Sequence, residues 1–308
     1  MSYPYISDLL NPLFGTQWHI PIAMFGSFVA LAILISTSVA KLEVQRLESL
    51  NILPKAQLAA TSVPVHEIVS DLVVVCVFFG LLGARLFHIL EHTDEFVQHP
   101  AAMLLSRGGF SIYGGLIFGV GVGALYLRKR AIPLIPMLDA FAPALSLAYA
   151  IGRIGCQVSG DGDWGIAADM QLKPSWLPTN LWVQQYVNNV IGVDIPYPGV
   201  YPTPLYETSM ALLIFALLWG FRKRVYMPGY QFAWYLLLSG FARLLIEKIR
   251  INTVYHVWGV NFTQAELIST LLILIGLIGI LKTIQVGWLG KVLLSISIFT
   301  ALTACAQL

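Results

Sequence analysis

Charge is what this chain has least of. Asp, Glu, Lys and Arg make up 11% of its residues, where a soluble domain carries roughly 25%. With 57% hydrophobic residues, that shortage excludes a water-soluble domain of ordinary composition, and the solvent for most of the chain is lipid. A net charge of +2 leaves no electrostatic footprint for nucleic acid. Cysteine is scarce too. Cys76, Cys156 and Cys305 stand far apart, which excludes a disulfide framework and a cysteine metal site. Repeats and low-complexity segments are absent, so one domain, 1–308, is the simplest expectation. The first apolar run begins near Trp18 without a basic start, so it reads as a retained span and not as a cleaved signal peptide.

What is present is a series of long apolar runs. About 20 apolar residues cross a bilayer as a helix, the form that pairs every backbone group within one segment. The runs predict spans at about 20–40, 67–90, 110–127, 135–152, 205–221, 230–248 and 265–281, with a shorter run at about 292–304. The expected fold is all-α: a polytopic helical bundle of about seven transmembrane helices plus a short C-terminal apolar helix. Basic residues favour the inner side. With the N-terminus outside, the inner loops hold Lys41, Arg46, Lys55, Arg128, Lys129, Arg130, Arg222, Lys223, Arg224, Lys282 and Lys291. The stretch 157–204 then lies outside and carries Trp164, Trp176, Trp182, Tyr186, Tyr197 and Tyr201. These aromatics suit either a loop lying on the membrane surface or a small aromatic core of the loop's own.

Ionisable groups inside spans are costly and mark function or a buried partner. This topology puts Arg85, Arg153, Glu207, Arg243, Glu247 and Arg250 at one depth near the outer face, with Arg243 and Glu247 on one helix face. Asp71 and Asp139 lie toward the inner ends of their spans. One reading is a set of ion pairs holding helices together. The other is a surplus of arginine for an anionic headgroup, whose phosphate oxygens match the guanidinium fork. Gly108, Gly109, Gly114, Gly115, Gly119, Gly121 and Gly123 cluster around the third span. Helix packing explains most of them, and Gly114 and Gly115 are the candidates for close approach of a ligand.

In order along the chain stand Gly83-Ala84-Arg85, Arg107-Gly108-Gly109-Phe110-Ser111-Ile112-Tyr113-Gly114-Gly115-Leu116-Ile117, Asp139-Ala140-Phe141-Ala142-Pro143, Gly152-Arg153-Ile154-Gly155, Tyr201-Pro202-Thr203-Pro204-Leu205-Tyr206-Glu207, and Arg243, Glu247 and Arg250. Over about 20–281 this series resembles the prolipoprotein diacylglyceryl transferase family. Tyr113 stands where that family has a histidine, and Cys156 and Ser159 stand where it has asparagines.

The resemblance implies an enzyme of a bacterial cytoplasmic membrane facing the outer leaflet. Its expected reaction moves diacylglycerol from phosphatidylglycerol to the thiol of a lipobox cysteine in a lipoprotein signal peptide. By resemblance Arg153 and Arg243 bind the phosphate, helped by Arg85 and Arg250, and Glu247 orients Arg243 or takes the thiol proton. Gly114, Gly115, Cys156 and Glu207 would line the substrate site. Tyr113 and His88 are the candidates for the missing histidine's work, since a thiolate is needed. No cofactor and no metal are expected, and Asp161-Gly162-Asp163 reads as a turn that positions Trp164. Two alternatives stay open: a lipid-modifying enzyme with another acceptor, and a non-catalytic phospholipid-binding membrane protein.

The C-terminus adds an oddity. Lys291, a short apolar core and Leu302-Thr303-Ala304-Cys305 are similar to a lipoprotein signal with its lipobox. Residues 287–308 read either as such a signal-like tail, with Cys305 lipidated, or as a short helix ending in a chance cysteine.

Overall fold

The computed structural model describes residues 2–58, 61–105, 109–223, 227–257 and 260–283. Arg107, Gly108, Arg224, Lys291, Cys305 and the apolar run at 292–304 lie outside the described residues. In chain order the elements are α1 (Ile6–Phe14), α2 (Met24–Ser49), β1 (Ala56–Leu58), β2 (Thr61–Val63), α3 (Val65–Glu91), α4 (Thr93–Gln98), α5 (Pro100–Leu105), α6 (Ile112–Lys129), α7 (Leu134–Ser159), α8 (Thr179–Trp182), α9 (Thr203–Phe221), α10 (Tyr230–Glu247), β3 (Val254–Val257), β4 (Val260–Thr263) and α11 (Gln264–Thr283). A helix occupies each of the seven predicted runs. Five of them, α2, α3, α7, α9 and α11, are long and apolar enough to cross a membrane. This is a mostly helical, polytopic membrane protein.

The sequence does not foretell the two antiparallel hairpins, β1–β2 and β3–β4. Their strands have three or four residues, too short for a period of two to register.

The chain divides into two compact units, residues 37–140 and the described remainder. In the first, α3 packs on α6 through glycines. A side chain on Gly114 would meet the Gly83 carbonyl oxygen at 2.2 Å, and one on Gly83 would meet that of Gly114 at 2.6 Å. Backbones touch there because neither residue carries a Cβ. Gly114, a candidate for ligand approach, is therefore occupied by the helix crossing, whereas a Cβ on Gly115 would have only ordinary contacts at 3.5 Å. Below the crossing, Glu48 accepts hydrogen bonds from the Val65 amide and, at 2.6 Å, pairs with His66, while buried Glu43 pairs with Arg46 at 2.5 Å.

In the other unit, Ala142 of α7 and Ile214 and Leu218 of α9 form a core with Phe232, Tyr235 and Leu238 of α10. The Ser146 hydroxyl donates to the Ala211 carbonyl at 2.8 Å, joining α7 to α9 where no water competes. A second core joins α10 to α11 through Ala233, Leu237, Ile273 and Ile280.

The 160–202 loop has a core of its own. Ala168, Val183 and Tyr201 are buried together, Trp182 meets Tyr201 edge to face at 5.2 Å, and Trp164 stacks on Tyr186 at 5.1 Å. Trp176 and Tyr197, 79% and 87% exposed, stay outside it. Part of the aromatic set thus forms a core of the loop's own.

Candidate active site

Three segments of one unit converge on four charged side chains. Arg153 sits near the C-terminal end of α7, Glu207 in the second turn of α9, Asp163 in the loop after α7, and Arg250 just beyond α10. Arg153 donates from one nitrogen to Asp163 and from another to Glu207. Arg250 donates to Asp163 at 3.0 Å and to Glu207 at 3.2 Å. Each guanidinium thus spans both carboxylates, and each carboxylate bridges both guanidiniums.

The frame around this square is specific. Tyr149, four residues before Arg153 and on the same face of α7, donates to the second Glu207 oxygen at 2.9 Å. The Thr203 hydroxyl donates to the Asp163 carbonyl at 2.6 Å and fixes the loop against the start of α9. Cys156 is buried, with its sulfur 3.5 Å from an Arg153 nitrogen.

Burial of these groups is unequal. The Arg153 and Glu207 side chains are 8% and 3% exposed, but Asp163 is 41% exposed. Burial alone would raise the Asp163 carboxyl, but Arg153 and Arg250 outweigh it and hold it below the usual carboxylate range. The Arg153 Nε is buried and has no hydrogen-bond partner among the described residues.

A second pair lies on α10. Arg243 contacts Glu247 at 2.6 Å. The other Glu247 oxygen accepts from Asn252 at 2.7 Å and from Thr263 at 2.5 Å. The Arg243 contact is an ion pair without hydrogen-bond alignment: Arg243 Nη1 and Glu247 Oε2 are buried and neither has a hydrogen-bond partner among the described residues. In this unit Arg153, Arg243 and Arg250 are matched in number by Asp163, Glu207 and Glu247, because Asp163 offsets one positive charge of the predicted cluster and Arg85 belongs to the 37–140 unit.

The other predicted residues belong to the 37–140 unit. Arg85 donates to the Gly109 carbonyl at 3.1 Å and lies 4.5 Å over the Phe110 ring. The His88 ring packs against Gly109. Tyr113 is 40% exposed in the first turn of α6.

The family model for prolipoprotein diacylglyceryl transferase matches residues 13–282. This chain belongs to that family. The phosphatidylglycerol–prolipoprotein diacylglyceryl transferase of Leptospira interrogans is 28% identical, covering 91% of this chain and 94% of the relative. The protein of the same name from Streptococcus pyogenes is 28% identical over 70% of this chain and 79% of the relative.

Of the residues in this charge cluster, the sequence does not single out Asp163 and Tyr149. Tyr149 was recoverable, because it stands four residues before Arg153 on a helix. Asp163 was not, because its partners come from α7 and from beyond α10, and its Asp-Gly-Asp setting is that of an ordinary turn.

Proposed function

We propose that this chain transfers the diacylglyceryl group of phosphatidylglycerol to the cysteine thiol of a prolipoprotein lipobox, at the outer leaflet of a bacterial cytoplasmic membrane. Family membership supports the reaction class. The observation that carries the assignment of the site is the bridging of Arg153 and Arg250 by one partly exposed carboxylate, Asp163. A phosphodiester presents two anionic oxygens in a similar arrangement and would take the same two forks when Asp163 swings out. The unused Arg153 Nε offers it one donor more.

In this reading α6 and α10 also cross the bilayer, completing seven spans with the N-terminus outside. The acceptor sulfur attacks the glyceryl carbon that bears the phosphate. A carbon–sulfur bond forms, the carbon–oxygen bond to phosphate breaks, and glycerol phosphate leaves with the electron pair. Arg153 and Arg250 stabilise the charge that grows on the departing phosphate. Glu247 aims Arg243 at the same anion. Glu207 holds the two guanidiniums apart and is itself held by Tyr149. The thiol proton is taken by a general base.

The test is complementation in a bacterium depleted of its own transferase, read by the mass of a reporter lipoprotein. The wild-type chain should add diacylglycerol to the reporter cysteine, and Arg153→Ala should not. A wild-type chain that binds phosphatidylglycerol vesicles but leaves the reporter unmodified would overturn the enzymatic reading in favour of lipid binding alone.

A further inference from the structure

Outside that site, the end of α3 carries a second cluster of chemistry-bearing side chains. His88, Glu91 and His92 follow each other at i, i+3 and i+4, which puts them on one helical face. One ligand atom from each lies within 4.8 Å of the others. The two imidazole rings lie 4.5 Å apart, centroid to centroid.

Two contacts orient the set. His92 Nδ1 lies 3.1 Å from the His88 carbonyl oxygen. A carbonyl only accepts, so Nδ1 carries the proton and Nε2 keeps its lone pair. Ser111 donates to Glu91 at 2.8 Å, and its own amide is anchored on the Ala84 carbonyl at 3.0 Å. Metal-binding imidazoles and carboxylates are commonly held by such outer hydrogen bonds. Gly109, at φ 78°, leaves room for the His88 ring: a side chain there would meet His88 Nε2 at 2.3 Å.

We propose that His88, Glu91 and His92 bind one divalent transition-metal cation of the zinc type. Two imidazoles and one carboxylate suit Zn2+ or Co2+ and not Mg2+, which prefers oxygen alone. Glu91 and His92 are exposed, so side-chain rotation can bring the ligands to the spacing of about 3.3 Å set by metal–ligand bonds near 2.0–2.1 Å. Water fills the fourth position. The bound ion would tie the α3–α4 junction, at His92, to the segment before α6 through Glu91 and Ser111. A comparable group of Cys156, Asp161 and Asp163 is a poorer cation site, because Arg153 and Arg250 already occupy Asp163.

The proposal does not depend on the transferase reading, and its test reads no activity. Full-length protein without a histidine tag, in detergent micelles, is titrated with Co2+ and then with Zn2+. One equivalent of Co2+ should bind with a visible absorption band and be displaced by Zn2+. His92→Ala and Glu91→Gln, both on exposed side chains, should each weaken binding at least tenfold, and Ser111→Ala about tenfold. Absence of saturable binding below millimolar Co2+ would overturn the site. So would full-affinity binding in both His92→Ala and Glu91→Gln, which would put the metal elsewhere.

Discussion

The two units reach close packing by opposite means. Around Arg153 the helices are joined by charge: two guanidiniums and two carboxylates interlock, with a tyrosine and a threonine holding the frame. At the α3–α6 crossing they are joined by lack of side chain, Gly83 against Gly114. The first contact is expensive to build, since ions leave water only when fully paired. The second costs little but tolerates nothing added. A charge cluster can exchange one anion for another and so can serve as a site; a glycine crossing only fixes distance.

The sharpest way to break that contrast is to remove one charge. Arg153→Ala should lower lipidation of a reporter at least ~1000-fold, beyond the usual effect of losing a single donor, because two anions lose their shared partner. Arg153→Lys should recover little, since an ammonium cannot fork across two groups. Glu207→Ala strands two guanidiniums and should destabilise the folded protein by about 3–5 kcal/mol, read by thermal unfolding in detergent. If Glu207→Ala unfolds normally, the square is not structural.

The crossing is tested by one methyl group. Gly114→Ala puts a Cβ 2.2 Å from a backbone oxygen, whereas Gly115→Ala meets neighbours at 3.5 Å. The first should cost about 1–3 kcal/mol and the second close to nothing, measured in the same unfolding experiment. Equal effects would remove the distinction.

These residues also mark what the sequence could convey. Each of the seven helices lies close to its apolar run, because run length is set by bilayer thickness and is written in one dimension. The ends of α2 and α7 were not legible. Both helices continue through polar residues, 41–49 and 153–159; Glu43 and Arg46 pair locally on α2, but the partners of Arg153, Glu207 and Asp163, are found only after folding. Family motifs named Arg153, Glu207, Arg243, Glu247 and Arg250 individually. Helical spacing already put Arg243 with Glu247, but the motifs did not reveal that Arg250 shares its carboxylates with Arg153. Nor did they reveal that Gly114 answers Gly83. Pairing is tertiary information, and motif order does not carry it.

The smallest expected effect concerns Asp163, the exposed corner of the square. Its carboxyl is held low by Arg153 and Arg250 against the upward pull of burial. Its folded value therefore lies below its unfolded one, and the stability it contributes is present above the unfolded value, about 3.9. That stability is lost as pH falls through the depressed folded value. With 41% of the side chain in solvent, screening keeps the contribution small. Asp163→Asn should therefore flatten only slightly the loss of stability below pH 4, while leaving both guanidiniums closer to positive surplus. If Asp163 holds the place of a phosphate, the same variant should bind phosphatidylglycerol vesicles more tightly than the wild type, by a few-fold at low salt. Weaker binding would mean that Asp163 orients the arginines for the headgroup and does not stand in its way.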